Sequence, residues 1–274
     1  MSWIIVVVIL VVIGFILDRE VYFYEAVHLG PRMQAWLYDH WSKKYDTGKR
    51  ESQLRDGEML AQPLLDTLED VSEPFVLDFA TGTGRLSQAL MNQTEFRGRI
   101  IAVDLSQGML EQAAAKLSQH LPRVELLRYL SLPLPFPDAA FDAVCALEVL
   151  ELFPNMDEPM AELGRVLRPG GTLLTSRGTE ESGRKAKVKS QSEFIQLLER
   201  NRFEHIQITR WWKLFDLVTA VKIGSSQSIG ICNLSDVLQC SSCKHIHWTR
   251  LTDQWKCQNC GKEMPLTKEG IVLN

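Results

Sequence analysis

From residue 74 onward, short apolar runs alternate with stretches of helical spacing. PFVLDFA (74–80) reads as a strand and RLSQALMNQ (85–93) as a helix. RIIAVDL (99–105) is a strand, and the helix after it opens on Ser106, whose hydroxyl suits an N-cap. VELLRYL (124–130) and FDAVCALEVL (141–150) are strands, and the helix at 156–167 is stopped by Pro169 and Gly170. GTLLTSR (171–177) is a strand, QSEFIQLLERNR (191–202) a helix, and EHIQITRWW (204–212) and KLFDLVTAVKI (213–223) two closing strands. This alternation predicts an α/β, Rossmann-like fold: a seven-stranded, mostly parallel sheet with helices on both faces. Ligands bind such sheets beyond the carboxyl ends of the strands. Asp78, Asp104 and Glu148 lie at or near such ends.

The pattern differs outside this region. Trp3 to Leu17 holds 15 residues without a charge. A membrane span needs roughly 20 apolar residues, with about 17 the lower end. The expectation is an N-terminal transmembrane helix over 1–20. A cleaved signal peptide, which would want a basic leader, and a buried core helix are the alternatives. Arg19 and Arg32 follow the segment, so the expected localisation is membrane, single-pass, with the catalytic bulk cytoplasmic. Residues 21–50 read as an amphipathic connector rich in aromatics, those from Trp36 onward packing on the next domain. Residues 51–222 form the α/β domain, beginning with a helical stretch at 51–69. Residues 223–236 are small and polar and read as a linker, and 237–274 hold a cysteine cluster. GRKAKVK (183–189) reads as a solvated cationic loop, with an anionic substrate or headgroup as the sharper alternative.

Hydrophobic residues make up 45% of the 274 and charged residues 23%, as in globular chains. Net charge is -4 and pI about 5.9. That removes a broad electrostatic case for nucleic-acid binding.

The chemistry concentrates in VLDFATGTGRLS (76–87). A dinucleotide fingerprint wants a third glycine for close packing, and Ser87 stands there. Asp78 would also be an awkward neighbour for a pyrophosphate. Asp104 lies 20 residues after Gly84, where an acid accepts hydrogen bonds from a ribose diol. A nucleoside with an ammonium and no phosphate satisfies both acids, and S-adenosylmethionine is such a molecule.

VLDFATGTGRLS, IAVDLSQGML, LPFPDAAFDAV and LGRVLRPGGTLL, in this order, resemble the motifs of class I S-adenosylmethionine-dependent methyltransferases. The branch most similar is that of the ubiquinone/menaquinone-biosynthesis enzymes and small-molecule methyltransferases, over roughly residues 40–222. The resemblance implies roles for this chain's residues. Asp78 would orient the loop and sit near the methionine ammonium. Thr81, Gly82 and Gly84 would let backbone amides approach the methionine part. Asp104 would bind the ribose diol, Leu105 and Met109 would pack on adenine, and Leu130 and Ser131 would close over its edge. Glu148 would face the transferring methyl or the acceptor. Two positions depart from the family: Ala80 replaces a glycine, tolerable if its backbone stays in an ordinary region, and Leu130 stands where an adenine-binding aspartate is common. The alternatives are that Asp78 only caps its turn and that Glu148 faces solvent. Methyl transfer needs alignment and exclusion of water, and a base only if the acceptor must lose a proton. Tyr45 and Glu148 are the candidates for that role.

Cys240-x2-Cys243 and Cys257-x2-Cys260 have the spacing of a four-thiolate structural Zn²⁺ site; two disulfides are the alternative. The tail also resembles the small zinc-ribbon proteins that activate several tRNA, rRNA and protein methyltransferases. The leading expectation is methyl transfer to a small-molecule or lipid acceptor at a membrane. The alternatives are an RNA or protein methyltransferase using the ribbon for recognition, or a non-catalytic cofactor-binding scaffold.

Overall fold

Phe75–Phe79 (β1) is apolar on both faces, as a central parallel strand must be, and all five residues are buried. Around it the computed structural model, which describes residues 2–182 and 188–274, builds one large sheet. Its other strands are Arg99–Asp104 (β2), Val124–Arg128 (β3), Phe141–Ala146 (β4), Leu167–Gly178 (β5), Phe203–Trp212 (β6) and Phe215–Lys222 (β7). Three short strands, Trp248–Arg250 (β8), Gln254–Cys257 (β9) and Glu263–Pro265 (β10), make a separate antiparallel sheet. Ile271–Leu273 (β11) returns to the large one, whose order is β11-β3-β2-β1-β4-β5-β7-β6. The first six of these are mutually parallel and β7 runs against β5 and β6. The mostly parallel α/β sheet expected from the alternation is present, with an eighth strand supplied by the far C-terminus.

The helices are Ser2–Asp18 (α1), Pro31–Gln53 (α2), Gln62–Asp66 (α3), Arg85–Met91 (α4), Gln107–Lys116 (α5), Asp157–Val166 (α6), Gln191–Arg200 (α7) and Leu234–Val237 (α8). Ser106 accepts from the Met109 backbone as the N-cap of α5, and Ser190 closes a capping box with Glu193 on α7. Two hydrophobic layers cover the faces of the sheet, one centred on Phe75, Phe136, Phe141 and Phe203, the other on Leu90, Ile100, Leu110 and Leu117.

Two sequence expectations change here. α1 is 17 residues long, about 25 Å at 1.5 Å per residue, short of the roughly 30 Å hydrocarbon core. No helix among the described residues is long and apolar enough to cross a membrane, so the single-pass anchor, and the membrane localisation built on it, do not hold. Trp36, expected to pack, is 61% exposed. The presumed linker is tied down: Ile229 and Gly230 donate backbone N–H groups to buried Asp142, and Leu234 N–H donates to Glu125. Most of the cationic segment at 183–189 lies outside the described residues.

Candidate active site

β1 ends at Phe79, and the chain turns through Ala80–Gly84 into α4. Asp78 holds this turn from beneath. Its Oδ2 accepts from Thr81 Oγ1 and Ser87 Oγ, both at 2.7 Å, and burial raises its pKa against those two bonds. Gly82 and Gly84 both take left-handed φ angles, 56° and 77°. Space around them differs. A side chain on Gly82 would meet open space, whereas one on Gly84 would strike Leu117 at 2.9 Å and Ala113 at 3.2 Å. Gly84 therefore lets the turn pack on α5, and Gly82 faces the ligand side. Ala80 has a φ of 55°, so the ordinary backbone expected for it is not what the turn adopts. An L-residue there costs about 1–2 kcal/mol.

Asp104 at the end of β2 is 8% exposed. Its Oδ2 accepts from Gly82 N–H and its Oδ1 from Ser106 N–H, each at 2.8 Å. Each oxygen keeps a lone pair beyond these bonds. Burial, offset in part by the two amides and reinforced by the charge of Asp78, pushes its pKa up to about 6.

These groups border a cleft at the carboxyl ends of the strands. Of the residues singled out in the sequence, Ala80, Gly82, Asp104, Leu105, Met109, Leu130, Ser131, Tyr45 and Glu148 line it. Asp78 and Thr81 do not; they border a smaller cavity behind the turn, and Gly84 borders neither. Asp78 holds the loop through Thr81 and Ser87. Glu148 sits inside the site, its side chain 20% exposed, rather than facing solvent. It too has a left-handed φ, 53°, with its N–H bonded to Ser176 Oγ at 2.6 Å.

The cleft's roof is α2, read from sequence as a connector. Pro31, Gln34, Tyr38 and Tyr45 line the cleft from one helix face. Their spacing of three, four and seven is the signal that could have found them. A second face fastens the helix down: Asp39 Oδ1 accepts from Ser106 Oγ (2.6 Å) and Gly108 N–H (2.8 Å), and Asp46 from Thr83 Oγ1 (2.7 Å). Gly108 is needed there, since a Cβ would meet Ser42 at 2.9 Å and the Asp39 backbone at 3.1 Å. A second chamber adjoins the cleft and shares Tyr38, Tyr45, Glu148 and Leu152 with it. Lys49 and Arg85, which the sequence reading also missed, meet Glu148 at this shared wall.

What fits the cleft follows from its lining. Two carboxylates face it and, among the described lining residues, no lysine or arginine does. Val103, Leu105, Met109 and Leu130 form an apolar slot beside Asp104. A phosphate-free, positively charged nucleoside suits this donor set.

Far from the cleft, the sulfurs of Cys240, Cys243, Cys257 and Cys260 lie within 4.8 Å of one another. Cys240 and Cys260 stand 3.5 Å apart, as do Cys243 and Cys257. All six cysteines are free thiols. Sulfurs about 2.3 Å from a shared ion stand roughly 3.8 Å apart in a tetrahedron, so the four fit one metal. Each knuckle closes on a left-handed residue, Lys244 (φ 63°) and Gly261 (φ 75°).

The chain's likenesses agree with this geometry. Residues 76–171 match a methyltransferase domain family. A demethylmenaquinone methyltransferase of Thermobifida fusca is 33% identical over 145 residues, 53% of this chain and 60% of that protein. The enzyme of the same name from Thermus thermophilus is 40% identical over 100 residues, covering 36% and 44%. The chain thus spans about half the length of the curated relatives it matches. The crystal structure of a SAM-dependent methyltransferase from Aquifex aeolicus superposes with a TM-score of 0.54 at 21% identity, over 68% of this chain and 98% of that one. Residues 76–171 thus match a methyltransferase domain, within a Rossmann-like fold shared with a solved S-adenosylmethionine-dependent methyltransferase.

Proposed function

We propose that the protein transfers a methyl group from S-adenosylmethionine to a small, lipophilic acceptor. The observation that carries this reading is the pair of adjoining cavities: one suited to a cationic nucleoside, the other aromatic-walled, with Tyr45 and Glu148 between them. Bound in the first, the cofactor would supply an electrophilic methyl on sulfur. Asp104 would accept from the ribose diol, each oxygen adding one bond to the backbone amide it already holds. Val103, Leu105, Met109 and Leu130 would flank the base, with no acid at Leu130 to read its amino group. Pro31, Gln34 and Tyr38 would close the roof and keep water from the reacting centre. Tyr45 and Glu148 would stand where the methyl leaves the first cavity.

The second chamber includes Tyr22, Trp41, Leu152, Leu214 and Phe215, surfaces that favour a flat or apolar acceptor body. The quinone-pathway names of the relatives agree with such an acceptor. The four thiolates would hold a structural Zn²⁺, since all four positions around the ion are filled by protein.

The test is incubation of the purified protein with methyl-labelled cofactor and fractionated lysate. Label in the lipid-extractable small-molecule fraction is expected. Label confined to RNA or protein, or retained cofactor binding with no transfer to any fraction, overturns the reading.

A further inference from the structure

The wall between the two cavities carries a charge cluster with no task so far. Glu148 Oε2 accepts from Lys49 Nζ at 2.5 Å and its Oε1 from Arg85 Nη1 at 3.3 Å. Arg85 is fixed. Its Nε and Nη2 both donate to Asp56, at 2.7 and 2.6 Å, Nη2 also donates to Ser52 O at 2.6 Å, and the guanidinium lies 4.8 Å from the Trp211 ring centre. Lys49 is held differently. Its ammonium, on a four-carbon stem from the C-terminal part of α2, meets one carboxylate oxygen and lies 4.9 Å from the Tyr45 ring centre. Burial works against its charge, but Glu148 and Tyr45 outweigh that, so Lys49 stays protonated. It borders the second chamber and the cavity behind the loop, and not the cofactor cleft.

The asymmetry matters. A fixed guanidinium keeps Glu148 compensated if the lysine turns away from it. The lysine then presents a positive charge to the acceptor side of the wall, within reach of where the methyl must emerge. A protonated amine in that place would meet a like charge, and a neutral amine would gain nothing from it. An acceptor atom that attacks as an anion would be held and favoured.

We propose that Lys49 is the acceptor-binding cation of this site, and that the acceptor's reacting group is a weakly acidic O–H or S–H. This rests on the methyl-transfer reading above. In the step it implies, the acceptor proton passes to the Glu148 carboxylate, and the anionic oxygen or sulfur, paired with the Lys49 ammonium, attacks the methyl carbon. The new O–C or S–C bond forms as the C–S⁺ bond breaks, its electron pair going to sulfur to leave a neutral thioether. The proton then leaves Glu148 for water. Glu25, Glu151, Tyr22, Tyr38 and Tyr45 also face this chamber, so the pH response is that of the whole group.

The experiment uses the full chain, labelled cofactor and three probes of similar apolar bulk: 4-octylphenol, 1-decanethiol and decylamine. The wild type is expected to methylate the phenol or the thiol, whichever it takes identifying the atom, and not the amine. Lys49→Met should lower kcat/KM for that probe roughly 10–100-fold, the value of a lost charge-assisted hydrogen bond. Its rate should recover as pH rises toward the probe's own pKa. Cofactor affinity by calorimetry should stay within twofold of wild type, and Lys49→Arg, which keeps the charge, should restore most of the rate. A melting curve separates these effects from misfolding, and if Lys49→Met fails to fold, the Lys49→Arg pH profile decides. Transfer to decylamine alone, an unchanged rate and pH profile in Lys49→Met, or transfer to a lysate fraction with neither acidic probe accepted overturns the proposal while leaving methyl transfer standing. No transfer by wild type to any probe or fraction removes both.

Discussion

Asp104 shows at the scale of one residue how a site suspends a group between two needs. Burial raises its pKa from 3.8 to about 6. Because the folded-state value is the higher one, the native state holds this proton more tightly than the unfolded chain does. Its contribution to folding stability is therefore present below pH 3.8 and is lost as pH rises toward 6. Cofactor binding follows the opposite course, because only the carboxylate can accept from both ribose hydroxyls. Calorimetric affinity for S-adenosylmethionine should be flat near pH 7.5 and weaken by up to about tenfold per unit below pH 6. Asp104→Asn should bind roughly 10–100-fold more weakly at pH 7.5 and lose that pH dependence. An equal pH slope in both proteins would show that Asp104 does not contact the cofactor. The sequence displays Asp104 because strand-end position and glycine-loop spacing are one-dimensional. It does not record that Thr81 and Ser87 turn back onto the Asp78 carboxylate, because those bonds are made by the fold of the turn. It equally hides the left-handed backbone of Ala80 and Glu148.

Whole elements were legible wherever burial is apolar and periodic. β1, β2, β4 and β5 carry apolar runs buried along almost their whole length, whereas β6 at the sheet edge is largely polar and exposed. α2 is different. Its buried residues are Gln34, Ala35, Leu37 and Ser42, and it is fastened by Asp39 and Asp46 rather than by an oily stripe, so its pattern reads as a connector. β11 was hidden for another reason: three residues after a cysteine module carry no sign of returning to a strand 145 positions earlier. There it pairs in parallel with β3, ending at Leu273 opposite Arg128, and Asn274 N–H donates to Arg128 O at 3.2 Å. The next residues, Tyr129–Leu132, wall the cofactor cleft. Trp255, Met264 and Val272 share a core with Leu134 and Phe136, and Gln239 N–H donates to Pro135 O. The cysteine module thus supports the Tyr129–Leu132 wall of the cleft. Purified protein should carry one zinc per chain by elemental mass spectrometry. Chelation, or Cys257→Ser, should lower Tm by several degrees and raise amide exchange across 124–132. Cofactor affinity should weaken alongside. Loss of metal with unchanged exchange in that segment would mean the ribbon is only tethered.

The whole molecule divides by what each end buries. Every side chain from Trp3 to Asp18 is exposed, including Trp3 at 70%, Phe15 at 66% and Leu10 at 62%. Hydropathy made this segment conspicuous in the sequence; its length, read from the structure, is what rules out a span. The following helix has the reverse character, modest in hydropathy and central to the site. Folding free energy comes from surface removed from water, and α1 removes almost none. Removing residues 2–18 should therefore leave Tm within about 1 °C and cofactor affinity within twofold. Removing residues 2–53 also takes away Pro31, Gln34, Tyr38, Tyr45 and Lys49 and uncovers the Asp39 contacts on Ser106 and Gly108. That protein should lose measurable cofactor binding even where circular dichroism shows the sheet intact. The two truncations separate hydrophobicity from contribution. If the shorter deletion proved the damaging one, α1 would have to pack on the domain in solution, against the exposure of Trp3 to Asp18.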